Sequence, residues 1–331
     1  MSSRFVPAVL FALLLPLSAR SQEAKSAAPV EKALPSDVVD DDGLLLRIEA
    51  ACEVLRQKGA LRTIAALQKE ADGKTVEFPI VPARTEHLPL PRLRSTLMAS
   101  TMSVLVYYHC EECGSWHASA STGFAVAADG LVATCFHVLH DDGDDGDEEH
   151  QPFLVVADCD GRVDAVTEVV AASKQSDLAV LRCTNDHLVP LPLRYGALAG
   201  EPVFCLSNPD HLFATFTAGV LSRRYVVRGP APGTEDLEPV ADVAKADSAG
   251  QKAHPADPVR SREPGRVFLA VTCEFATGSS GAPIVDACGN VLGIAQSTSS
   301  IAVDPSADVL EVQMVVRTAV PSEAIAELRR R

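Results

Sequence analysis

Residues 277–294 read TGSSGAPIVDACGNVLGI, a serine set among glycines, followed by a short apolar run and a second turn. Gly-Ser-Ser-Gly alone is an ordinary turn or linker, so its meaning depends on the rest of the chain. Gly278-x-Ser280 is followed by Gly281 and then Ala282, which stands where a Gly-x-Ser-x-Gly elbow needs glycine. That disfavours an α/β-hydrolase sheet, as does the scarcity of long alternating helices. From about Leu93 the chain instead reads as short strands with turn punctuation: SVLVYY, TGFAVA, LVATCF, PFLVVA, LAVLRC, PVFCLS, RVFLAVT and NVLGIAQS. Runs of four to eight residues separated by ADG, DCDG and ACGN predict a mainly β fold, a sandwich or barrel.

Hydrolysis by a serine needs a base to take the hydroxyl proton, a carboxylate to orient the base, and amide donors for the oxyanion. The base is offered by TGFAVAADGLVATCFHVL, where two strands meet at Asp129-Gly130 and the second leads into His137. The carboxylate is offered by KQSDLAVLRC, in which Asp177 precedes a strand apolar on both faces. Taken singly, His137 is a structural histidine and Asp177 a turn or strand cap. Together they give the chain order His137, Asp177, Ser280, which differs from the subtilisin and α/β-hydrolase orders. On that combination Ser280 is read as the nucleophile, with Ser279 the weaker candidate.

These motifs carry a resemblance. STGFAVAADGLVATCFHVL, SDLAVLRC, GEPVFCLSNPDHLFATFTAGVLS, TGSSGAPIVDACGNVLGI and the closing VVRTAVPSEAI resemble, in order and interval, the trypsin-fold serine proteases of the HtrA/Deg type. The resemblance implies two packed six-stranded antiparallel β-barrels, about 91–195 and 196–331, with the site between them. It implies His137 as base, Asp177 as its orienter, Ser280 as nucleophile, and the N–H groups of Gly278 and Ser280 as an oxyanion hole. Ser279 replaces the aspartate that precedes the nucleophile in digestive enzymes, so activation by a newly cut amino terminus is not expected. The sequence closes soon after the second barrel, so a carboxy-terminal PDZ domain, and regulation through it, is not expected either.

The specificity pocket stays open between two readings. Glu274, six residues before Ser280, would select Lys or Arg, whereas its neighbour Phe275 would make the pocket apolar. Substrate is expected to add as a strand beside Gly293 to Ser297, which makes Gly293 and Ala295 candidate binding residues.

The remaining segments frame this domain. Residues 1–21 carry Arg4, an apolar run from Phe5 to Leu17 and the small residues Ala19 and Ser21, a secretory signal with a cut before Gln22. Residues 22–40 read as a linker. Residues 41–90 form a small helical extension, since Leu45, Ile48, Cys52 and Leu55 recur at three- and four-residue steps. Ser322 is expected to cap a short closing helix. Two polar insertions, 140–151 and 229–265, belong on the surface, and the second has a disordered composition.

Acidic residues outnumber basic ones 44 to 29, for a net charge of −15. This argues against nucleic acid or a stable membrane surface as partner. The nine cysteines meet an oxidising compartment if the chain is exported, and an odd count leaves at least one thiol free. HCEECGSWH, residues 109–117, has a C-x-x-C with flanking histidines at the tip of a hairpin. Such a motif can bind zinc, but without a second C-x-x-C a disulfide or solvated thiols are the favoured reading, and no metal or cofactor is assigned. The sequence thus predicts an extracytoplasmic serine endopeptidase acting on protein or peptide substrates, with unfolded chains as one candidate class. A catalytically silent binding or chaperone-like module on the same fold, and an esterase using the same triad, are the alternatives.

Overall fold

The computed structural model describes residues 38–71, 77–139, 151–228, 265–302 and 311–330. The signal segment, most of the linker and nearly all of both polar insertions lie outside these residues.

From Val39 onward the chain forms one compact unit. It begins with α1 (Asp41–Gln57), whose cap residue Asp40 accepts the Gly43 amide at 3.0 Å. The sequence-predicted helix is present, and its buried stripe is Leu44, Ile48 and Cys52, one turn apart. α2 (Ile64–Ala71) follows. The segment after it crosses to the second barrel, where Asn290 accepts the Arg84 amide at 2.7 Å and donates to the Arg84 carbonyl at 2.9 Å.

Where strands were expected from Leu93, the chain first forms α3 (Leu90–Met98). Leu93 and Leu97, four apart, are fully buried, and proline is tolerated in the first turn because that turn's amides have no helical acceptor. Strands begin with β1 (Thr101–Cys110) and continue with β2 (Ser115–Ala127), β3 (Leu131–Thr134), β4 (Phe153–Ala157), β5 (Val163–Ser173) and β6 (Leu178–Cys183). They close a barrel in the order β1-β2-β3-β6-β5-β4, all pairs antiparallel.

The second barrel repeats that order with β7 (Pro202–Ser207), β8 (Thr215–Val227), β9 (Arg266–Val271), β10 (Pro283–Val285), β11 (Val291–Ala302) and β12 (Val312–Pro321). Inward residues such as Val104, Phe124, Val132 and Leu181 fill the first barrel, and Val203, Leu221, Leu269 and Leu292 fill the second. Val285, Val291, Ile294 and Val320 join the first core, so the barrels share a dry interface. Closed barrels leave no free sheet edge within the ladder. The site must therefore be built from loops and strand ends.

α4 (Glu323–Arg330) ends the described chain. The Ser322 hydroxyl does not serve as the expected cap: it is fully buried and donates to the Arg194 carbonyl at 2.7 Å, tying the helix entry to the inter-barrel segment.

Candidate active site

His137 lies in a single 3-10 turn, Phe136–Leu139, entered from the end of β3. Its main-chain N–H donates to Asp177 Oδ1 at 2.9 Å, and its Nδ1 lies 2.8 Å from Asp177 Oδ2. One carboxylate thus fixes both the turn and the ring. Asp177 is itself fully buried and sits at φ 51°, in the left-handed region that residues with a Cβ seldom enter. The tight turn before β6, in which the Asp177 amide donates to the Lys174 carbonyl at 3.1 Å, imposes that conformation. Such local strain persists only where the surroundings over-determine it.

Asp177 Oδ2 also accepts from Gln296 Nε2 at 3.0 Å. Sequence reading missed Gln296, whose only signal is one polar residue after a wholly apolar stretch of β11. Cys135 lies beside the same carboxylate, its thiol donating to the Ala295 carbonyl at 3.3 Å. Burial, reinforced by the Asp177 charge, pushes that thiol well above its ordinary range. It is a neutral neighbour of the site and no competing nucleophile.

From the second barrel, Ser280 presents Oγ to His137 Nε2 at 2.8 Å and also lies 3.2 Å from the Gln296 carbonyl. Ser279 points the other way. It is fully buried, and its hydroxyl donates to Ser207 Oγ at 3.0 Å. The loop that carries both serines depends on glycine at two points. Gly278 has φ +88°, and a Cβ there would stand 2.5 Å from the Asn208 carbonyl oxygen; Gly281 has φ +90°, and a Cβ would meet the Thr122 carbonyl oxygen at 2.1 Å. Only glycine adopts these angles without clash.

The loop is stitched to the first barrel through Thr122, a residue the sequence reading did not single out. Its amide donates to the Ser280 carbonyl at 3.0 Å and its hydroxyl to the Gly278 carbonyl at 2.8 Å. The Asp210 amide holds the Thr277 carbonyl at 2.9 Å. With these three carbonyls engaged, the amides of Gly278 and Ser280 meet no protein acceptor among the described residues. Among the described residues, three of the four non-glycine residues with positive φ, Asp210, His211 and Ala214, lie in the turn that makes this contact.

A cleft of about 290 Å³ opens at Ser280, lined by Ser121, His137, Phe275, Ala276, Thr277, Gly278, Gln296, Ser297 and Thr298. Phe275 forms part of its wall. Glu274 does not: its side chain is 76% exposed and pairs with Arg317 at 3.1 Å. Gly293 and Ala295 are also displaced from the expected role. Gly293 is paired with Ile284 of β10 and Pro321 of β12, while Ala295 pairs with Ala319 and exchanges hydrogen bonds with Gly281 and Ala282. Their strand edges are filled on both sides. β10 is only three residues long, and among the described residues its pairing with β11 reaches no further than Ile294, so no described strand covers that side of β11 from Ser297 onward.

Comparison with known proteins gives this geometry a family. The family of trypsin-like peptidase domains matches residues 121–294, more than half of the chain. The chain is 27% identical over 180 residues to Protease Do-like 1, chloroplastic, of Arabidopsis thaliana, covering 53% of this chain and 32% of that protein. It is 30% identical over 133 residues to a probable periplasmic serine endoprotease DegP-like of Brucella suis, covering 39% of this chain and 24% of that protein. The chain thus spans about a third or less of these relatives. The structure of the HtrA-type protease AlgW with decapeptide superposes with a TM-score of 0.50 at 19% identity, over 73% of this chain and 67% of that one, a likeness of fold. The chain belongs to the trypsin-like peptidase family, and its relatives are Do/DegP proteases.

Proposed function

We propose that this chain is an extracytoplasmic serine endopeptidase that hydrolyses peptide bonds through an acyl-enzyme. The observation that carries this reading is the continuous relay Asp177–His137–Ser280, two hydrogen bonds of 2.8 Å each. In this mechanism Ser280 Oγ attacks the scissile carbonyl carbon while its proton passes to His137 Nε2. Asp177 keeps the other ring proton on Nδ1 and stabilises the imidazolium. The carbonyl oxygen, now negative, is received by the Gly278 and Ser280 amides, donors that need no reorganisation. Collapse breaks the C–N bond, and the amine leaves with the proton from Nε2. Water then repeats the sequence on the ester and restores Ser280.

The substrate chain extends β11 at its free edge from Ser297, making main-chain hydrogen bonds that do not depend on sequence. The side chain before the scissile bond enters beside Phe275, which favours apolar residues; Glu274, neutralised by Arg317 outside the cleft, does not select cations. The decapeptide that accompanies AlgW in its structure supports peptides as ligands. The periplasmic relative and the signal-like segment 1–21 support an extracytoplasmic location. Incubating the purified full chain with an unfolded protein substrate tests the reading. New amino termini must appear, and they must vanish in Ser280→Ala. A chain that cleaves ester substrates but no protein would be an esterase, and one that cleaves neither a binding module.

A further inference from the structure

We propose that the tip of the β1–β2 hairpin is a zinc site formed by Cys110, Cys113 and His117. This stands apart from the cleft chemistry and does not depend on it. β1 ends at Cys110 and β2 starts at Ser115, so the turn is Glu111-Glu112-Cys113-Gly114. The Gly114 amide donates to the Cys110 carbonyl at 2.8 Å, and Gly114 takes φ +68° to reverse the chain. The reversal brings both thiols to one side. His117, two residues beyond Ser115 and therefore on the same face of β2, places Nε2 3.1 Å from Cys113 Sγ. The three ligand atoms all lie within 4.8 Å of one another. Zinc with bonds of about 2.3 Å to sulfur and about 2.0 Å to nitrogen holds tetrahedral ligands roughly 3.5–4 Å apart. Closing the site needs side-chain shifts of about an ångström at an exposed tip.

The surroundings favour a metal over free thiols. On the far side of the ring, Glu49 of α1 lies 3.6 Å from His117 Nδ1 and is anchored by the Ala118 amide at 3.2 Å. The ring thus lies between a carboxylate on its Nδ1 side and a cysteine sulfur on its Nε2 side, the arrangement that orients metal-binding histidines. The base of the tip is rigid: Trp116 stacks on Tyr107 at 5.1 Å and Phe153 at 5.7 Å, with Arg56 over its ring at 4.8 Å. Two thiolates and one neutral imidazole are soft donors suited to zinc and not to magnesium or calcium. On binding, each thiol releases its proton to solvent, and the two thiolates offset the charge of the ion. The fourth position faces water. A Cys110–Cys113 disulfide is the competing state, and it gives the Glu49–His117 pair no role.

The test uses the full chain, purified under reducing conditions, equilibrated with Zn²⁺, desalted and assayed for metal by mass spectrometry. One zinc per chain is expected. Cys113→Ser and His117→Ala should each lose it while keeping the circular dichroism of the parent, and Cys159→Ser should retain it. Glu49→Gln should bind zinc about 10–100-fold more weakly. Loading with Co²⁺ should give a thiolate charge-transfer band that Cys113→Ser lacks. The proposal fails if the reduced chain retains no zinc or if the Cys110→Ser/Cys113→Ser double variant retains as much as the parent. It also fails if air oxidation joins Cys110 to Cys113 despite bound zinc.

Discussion

In the first barrel, His137 and Asp177 are fixed by side chains: one buried carboxylate takes hydrogen bonds from a ring, a main-chain amide and the Gln296 amide group. In the second, Ser280 is fixed by its main chain, through two left-handed glycines and a row of carbonyls tied to Thr122 and Asp210. One half of the site is positioned electrostatically and the other conformationally. Substitutions in the two halves should therefore fail in different ways.

The largest expected effect removes the contact between the halves. Ser280→Ala and His137→Ala should each lower turnover by on the order of 10⁴-fold or more, with thermal stability little changed, because triad members act as a unit. Steady-state kinetics beside a thermal melt measures both. Next comes Gly278→Ala. With φ +88° and a carbonyl 2.5 Å from the new Cβ, the loop must shift, moving an amide proposed to receive the oxyanion. A loss of about 10²–10³-fold in kcat, together with about 1–3 kcal/mol of stability, is expected. Loss of activity with no loss of stability would blur the contrast between the barrels.

Gln296→Met probes the electrostatic half more gently. It removes one donor to Asp177 in a nearly isosteric side chain, and a hydrogen bond to a charged group is worth about 1.5–3 kcal/mol. Activity should fall roughly 10- to 100-fold with KM nearly constant, since the residue positions Asp177 and does not hold the scissile bond. An unchanged kcat would remove Gln296 from the relay.

The legibility of the molecule divides along the same line. Short apolar runs and turn residues made the strands readable, and the order of three motifs singled out His137, Asp177 and Ser280, which the structure brings within hydrogen-bond distance. What escaped depends on partners distant in sequence. Gly293 and Ala295 look like a binding strand until β10 and the Gly281–Ala282 main chain just before it are seen to fill their edges, and β10 is too short to leave a pattern. Leu93 and Leu97 form a helix whose stability comes from burial, which two leucines four apart among prolines do not announce. Thr122, Asp210 and Gln296 act through hydrogen bonds to residues distant in sequence, and nothing in their local sequence records those partners. Glu274 was a plausible selector only while Arg317 was out of view.

A smaller effect concerns alkaline stability. Burial pushes the Cys183 thiol of the first barrel up to about 11 and the Cys273 thiol of the second up to about 12. The unfolded chain loses these protons near 9, before the folded chain does. Stability is therefore full below that value and falls as pH rises toward 11 and 12, by up to about 1.4 kcal/mol per pH unit per thiol. Melting curves from pH 8 to 11 should show Cys273→Ala destabilised at every pH yet declining less steeply than the parent. The smallest expected effect is Glu274→Gln. The pair with Arg317 is mostly solvated on the glutamate side and worth no more than about 1 kcal/mol, so preference between basic and apolar peptides should change less than about fivefold.

The central claim is that side chains from one barrel activate a single serine held by the main chain of the other. A fluorophosphonate probe, reacted with the full chain and mapped by peptide mass spectrometry, tests it most directly. The account predicts one adduct, on Ser280, absent in His137→Ala and strongly slowed in Gln296→Met. An adduct on Ser279 or on any other serine, or labelling of Ser280 that persists without His137, would contradict it.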